Sequence, residues 1–339
     1  MRLRYIGPAI LALLAIAVVA CNGGGSGPSP TPTITDTPTP VVEPLATPVT
    51  AVFDCVGPQE TTAPDASAFP VEITDSVGNT VALEAPPQSI ASLSAGHTEI
   101  LYAIGAGDQM TAVDSTSDCP QAVNDLPKVD AFTPSVEAIA DLQPDLVVIF
   151  FDPGDLQAAL QNLDIPVLNL AAPASIQGVY DQTELLGEAT GHAADAAGLV
   201  ADMQAAVQSI QSEIGDAVAA PTIFHEIDNT YFTAGPGSFI ADLYDILGAQ
   251  NIADATGQPF PQMSAEAIIE ADPEVIILAD EVAGESPDTV RARPGWGSVS
   301  AVQNDRIHII DPDIVSRPGP RLVEALRTLA AFLYPERFP

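Results

Sequence analysis

One sixteen-residue pattern occurs twice in the chain, and it restricts the fold more than any other feature. Ser135, Glu137, Ala138, Ile139 and Pro144 return as Ser264, Glu266, Ala267, Ile268 and Pro273, at a constant offset of 129 residues. In each copy a serine stands where a helix N-cap belongs, a proline ends the helix, and a continuous apolar run follows. An apolar run of that length between amphipathic helices is the mark of a parallel strand covered on both faces. A weaker echo pairs Leu101, Tyr102, Ile104 and Ala106 with Leu243, Tyr244, Ile246 and Ala249. Two copies of a helix–strand unit predict two similar α/β lobes.

The stretches around the repeat fit that scheme. Val71–Thr74 and Thr80–Leu83 flank a Ser76–Asn79 turn and predict a hairpin. Strands are expected at Ile90–Leu93, Met110–Val113, Leu146–Phe150, Pro166–Leu170, Thr222–Ile227, Val275–Leu278 and Arg306–Ile310. Residues 175–216 carry no strand signal. Within them, Ala193–Ile214 is a run of strong helix formers, about 30 Å long if helical. The fold class is therefore α/β: two Rossmann-like lobes with mainly parallel sheets, joined by one long helix, with a ligand cleft between them.

The N-terminus reads as a targeting segment. Arg2 and Arg4 precede an apolar run, Ile10–Val19, too short to span a bilayer comfortably. The run ends in Val18, Val19, Ala20 and Cys21, which resembles a bacterial lipobox cut before an acylated cysteine. Beyond Cys21, Thr-Pro pairs recur at residues 31–32, 37–38, 39–40 and 47–48, with no periodic apolar face to build a core. The expected layout is a lipoprotein signal at 1–20 and a Thr/Pro-rich tether at 21–67. A first lobe follows at 68–180, a linking helix at 181–216 and a second lobe at 217–339. The chain is then a lipid-anchored monomer outside the cytoplasmic membrane. In that oxidising setting Cys55 and Cys119 either form a disulfide or remain two free thiols.

Charge excludes one partner class. Forty-five acids against ten bases give a net charge of −35, with Lys128 the only lysine. Nucleic-acid binding needs clustered bases, so no nucleic acid is expected. The motifs of serine hydrolases, Walker-type nucleotide binders and HExxH metalloproteases are absent. Four histidines at 97, 192, 225 and 308 show no metal-ligand spacing, so no resident metal or cofactor is expected.

Several stretches, taken in order, resemble the solute-binding lipoproteins of ABC importers for metal chelates, the cobalamin and ferric-siderophore group. They are Ser92–Ile100, Val136–Ile139 with Pro144–Val148, Phe232–Ser238, Asn251–Asp254 and Arg317–Arg321, and the resemblance covers about residues 68–339. It implies a class III periplasmic-binding fold with little hinge motion. The function implied is capture of an iron-siderophore or cobalamin-type chelate and delivery to a permease dimer with its ATPase. The alternatives are a haem receptor of the same importer group, or a hydrolase on a similar scaffold.

The resemblance also points to residues. Glu137 and Glu266, equivalent in the repeat, would dock the permease, one per lobe; first-turn capping is the other role open to them. Ligand contacts would come from loops at the facing ends of the lobes. There Phe132, Phe151, Tyr231 and Phe260 would stack on the chelate or else fill the core. His97 and His225 would ligate iron or serve as buried hydrogen-bonding groups. Arg317 would be the main contact to an anionic chelate or a structural ion pair. Cobalamin binders of this group use several cleft tryptophans, whereas this chain has only Trp296.

Overall fold

The computed structural model describes residues 53–56, 60–215 and 220–338. The lipobox, Cys21 and the Thr-Pro repeats lie outside the described residues.

A hairpin of β1 (Val71–Thr74) and β2 (Thr80–Leu83) stands alone as an antiparallel pair. The first lobe then adds β3 (Ile90–Leu93), β4 (Met110–Asp114), β5 (Lys128–Val129), β6 (Leu146–Ile149) and β7 (Val167–Asn169). They form one parallel sheet in the order β5-β4-β3-β6-β7. The second lobe holds β8 (Thr222–Glu226), β9 (Gln250–Asn251), β10 (Val275–Leu278) and β11 (Ile307–Ile309), parallel in the order β11-β10-β8-β9. Strands β3, β6 and β10 are buried at every residue, as expected for sheets covered on both faces.

The repeat is exact in structure: β6 and β10 sit 129 residues apart, end for end. Ser135 and Ser264 cap the preceding helices, Val136–Asp141 and Ala265–Ala271, each accepting from the amide three residues on at 3.1 Å. Sequence reading misses β5 and β9. These are two-residue edge strands with no apolar run to announce them.

Two helices, not one, join the lobes: Ile176–Thr190 and Ala193–Ile214. Gly191, at φ +84°, ends the first in the left-handed conformation that glycine tolerates best. Both helices contribute to one apolar core that runs through both lobes. It contains Ile90 and Leu146, Leu186 and Met203, and Ile223 and Leu326. Separate clusters back the outer face of each sheet, around Ile139 and Val147 in the first lobe and Phe224, Ile276 and Trp296 in the second.

Residues 60–67, tether by composition, lie along the first lobe. The Thr62 amide donates to the Gly105 carbonyl at 3.3 Å and the Asp65 amide to Gly191 at 2.8 Å. Cys55 is bonded to Cys119. Phe53 is buried in the shared core.

Candidate functional site

The strands of the first lobe end at a cleft of about 220 Å³. Its floor and wall come from Leu93 to Gly96 after β3, Asp114 at the end of β4, and Phe150 and Phe151 after β6. Ala131 and Phe132 follow β5, and Ser316, Arg317 and Pro318 of the second lobe close it. A site outside the carboxyl ends of parallel strands is where open α/β sheets bind ligands.

Phe132 and Phe151 form its aromatic side, with ring centroids 5.3 Å apart. Phe132 is 69% exposed. Its loop is set by Asp130, which accepts from the Phe132 amide at 2.8 Å and the Thr133 amide at 3.1 Å. The Thr133 hydroxyl also donates to Asp130, at 2.6 Å, and these bonds hold the Asp130 carboxyl below its usual value. The exposed ring is therefore presented by a fixed turn.

The lobes meet at the base of the cleft. A Cβ on Gly96 would stand 2.9 Å from the Pro318 carbonyl oxygen, so only glycine permits the contact. One helical turn on, Glu99 of the first lobe is fully buried between two arginines of the second. Arg321 donates to both its oxygens, at 2.9 and 2.6 Å, and Arg317 to one at 3.2 Å. Burial pushes the Glu99 carboxyl up and the two guanidiniums oppose the rise.

Three expectations are corrected here. Arg317 is not a free cation awaiting an anion. It donates to Asp118 at 2.6 Å and to the Thr116 carbonyl at 3.1 Å, and it pairs with Asp313 at 2.7 Å besides Glu99. It lines the cleft with its charge already matched. His97 is not a cleft ligand. It is wholly buried in the helix Ala95–Ala103, with Nε2 3.2 Å from the Gln182 amide oxygen. His225 lies inside β8, wholly buried, with Nδ1 2.7 Å from the Tyr244 hydroxyl. Burial lowers both imidazoles to about 4, so they are neutral core groups.

The other expected ligand residues, Tyr231 and Phe260, are on the second lobe, outside the lining of that cleft. Tyr231 is half-buried; its ring lies 5.7 Å from Trp296, and the Arg293 guanidinium sits 5.3 Å from it. Phe260 is 43% exposed, and Phe232, at the start of the Phe232–Ser238 stretch, is 39% exposed. Trp296 is entirely buried beneath Arg293, 4.7 Å from its guanidinium, so it offers no ligand surface. Glu137 and Glu266 are exposed in matching first helical turns, away from the cleft lining.

This geometry stands beside a direct match: the family model described as periplasmic binding protein covers residues 90–314. The chain belongs to the periplasmic binding protein family. It is 33% identical over 279 residues to an uncharacterized ABC transporter substrate-binding lipoprotein, YvrC, of Bacillus subtilis, covering 80% of this chain and 87% of that protein. It is 27% identical over 307 residues to a cobalamin-binding protein of Halobacterium salinarum, covering 86% and 82%. Among solved structures it resembles a possible iron-binding periplasmic solute-binding protein of Staphylococcus epidermidis. That match has 28% identity and a TM-score of 0.66, over 73% of this chain and 99% of the other. Two parallel-sheet lobes flanking a cleft are thus the family's architecture, built here around a repeated helix–strand unit.

Proposed function

We propose that the protein is the extracytoplasmic substrate-binding component of an ABC importer, anchored by lipid on Cys21, and that it carries a metal chelate to a permease with its ATPase. The observation that carries the reading is the interlobe cleft with an aromatic pair, exposed Phe132 on half-buried Phe151, in a chain of this family. Aromatic faces offer large, rigid area to a planar or apolar chelate at little entropic cost. Binding, not catalysis, is the role assigned. The protein acts as a monomer, and Glu137 and Glu266 meet the two-fold permease, one from each lobe.

The state of Arg317 bears on which chelate. Its partners Asp118, Asp313 and Glu99 leave no surplus positive charge for an anionic siderophore. This favours an uncharged chelate, a corrinoid first and a neutral ferric hydroxamate second, over haem with its propionates. The test is native mass spectrometry with absorbance after incubation with cyanocobalamin, haem and ferric hydroxamates. Retention of one chelate per chain is expected. Retention of none, or turnover of esters or glycosides by the purified protein, would overturn the reading.

A further inference from the structure

The repeat allows the carboxyl ends of the two sheets to be compared residue by residue. In the first lobe β3 pairs with β6, setting Leu93 opposite Ile149; in the second β8 pairs with β10, setting Glu226 opposite Leu278. Ile149 and Leu278 are repeat equivalents, so Glu226 is the counterpart of Leu93. By the same offset Asp280 is the counterpart of Phe151. Leu93 and Phe151 both line the cleft. The second lobe thus carries two carboxyl groups where the first carries two apolar side chains.

One of the two is satisfied. Arg293 forks onto Glu226, with Nη1 to Oε2 at 2.6 Å, and reaches Glu285 with Nη2 at 2.7 Å. Its guanidinium is held over Tyr231 and Trp296, so its position is fixed. Asp280 is only 3% exposed, and no other residue donates a hydrogen bond to its oxygens; its carboxyl faces that of Glu226, whose ionised form a hydrogen bond from Asp280 favours. The charged groups that act on it are Glu226 from β8, Glu285 from the following loop, and Arg293. Burial and the two neighbouring carboxylates push its carboxyl up to about 7. No group of three or more His, Cys, Asp or Glu among the described residues is placed to hold a metal ion, so a cation of that kind is not what the geometry asks for. A buried carboxyl without a donor is costly to maintain, and its place at the sheet end gives it a use.

We propose that Asp280 is a specificity-determining residue of the second lobe, accepting an amide N–H or ammonium donor from the bound chelate. The proposal rests on the metal-chelate reading above. It assigns the two sheet ends different work: the first lobe offers aromatic surface, and the second selects for a hydrogen-bond donor and against a carboxylate. A ligand carboxylate at this position would face Glu226, Glu285 and Asp280 together.

The test compares ligands that share a scaffold and differ in one group. The first pair is cyanocobalamin and a monocarboxylic derivative with one side-chain amide hydrolysed. The second is ferrioxamine B, with its free ammonium, and the N-acetylated form. Titration calorimetry on the wild type should show preference for the donor-bearing member of whichever pair binds, by roughly tenfold or more. Asp280→Asn, nearly isosteric, and Asp280→Ser should keep binding but reduce that preference to within about twofold. Thermal melts confirm that each variant is folded. Binding with an unchanged preference in both variants overturns the assignment of Asp280 and leaves the metal-chelate reading intact. Failure of the wild type to bind either scaffold removes the corrinoid and hydroxamate reading, and the assignment with it.

Discussion

Replacing Glu99 by Gln tests whether the lobes are held together by charge. The side chain keeps its volume, but one of its two acceptor oxygens becomes a donor facing the arginine fork. In the native protein Glu99 takes three hydrogen bonds from Arg317 and Arg321, all reaching across from the other lobe. All three side chains are largely buried, the arginines 11–12% exposed and Glu99 not at all. Charge-assisted bonds are worth about 1.5–3 kcal/mol each, and removing one member of a buried pair costs about 3–5 kcal/mol, because the other charge is stranded. Asp118 and Asp313 still face Arg317, so the lower end applies: about 3 kcal/mol, or a fall in melting temperature of about 5 °C. The assay is thermal and urea unfolding of the lipid-free chain bearing Cys21→Ser. A double-mutant cycle with Arg321→Met should give a coupling above about 2 kcal/mol. A loss below 1 kcal/mol, or simple additivity, would show that the apolar core alone joins the lobes.

Three further outcomes are expected. Replacing Glu137 and Glu266 together by Ala should leave chelate affinity within twofold while import fails in whole cells; full uptake by the double variant would contradict the docking role. Changing Cys21 to Ser should move the protein from the membrane to the soluble fraction on cell fractionation, and persistent membrane association would count against the lipid anchor. His97 and His225 are neutral when folded down to about pH 4 but take a proton near pH 6.5 when unfolded, so the unfolded chain binds more protons in that window and stability falls as pH drops through it. Each contributes about 3 kcal/mol to that loss. His97→Gln should therefore flatten the acid side of the stability profile, and a profile parallel to wild type would refute the cause given.

The lobes were legible because buried parallel strands must be apolar throughout, and helix caps and proline stops are local chemistry. Ser135, Pro144 and the run from Leu146 carry all of that in one stretch. The cleft was legible only in part. Phe132 follows from its loop position, but the fate of Arg317 depends on Glu99 and Asp118, about two hundred residues away, and no local signal links them. His225 fell within the expected strand Thr222–Ile227, and only the family resemblance placed it among the cleft contacts; the strand reading holds. Within Thr222–Glu226 the four residues from Ile223 on are buried whatever their polarity, and Tyr244 supplies the partner. Asp280 was within reach of the sequence. Carrying the repeat one residue past Ala279 pairs it with Phe151, and a carboxyl opposite a cleft phenylalanine is the kind of local inconsistency that marks a functional position.

The apolar core that continues from one lobe through both linking helices into the other has a consequence for signalling. A receptor that shuts around its cargo announces occupancy by its change of outline, and part of the binding free energy is consumed in shifting the population toward the shut form. Here side chains from both lobes are packed in a single interior, so shutting would mean tearing that interior open. If the protein is the receptor proposed above, free and loaded forms are expected to share one silhouette, with the same spacing between Glu137 and Glu266 in both. On that proposed role the transporter would have to read the cargo itself at the mouth of the cleft, and empty receptors would compete with full ones for the same docking place. Unloading would then draw on work done by the proposed importer, with its ATPase and not the receptor as the source.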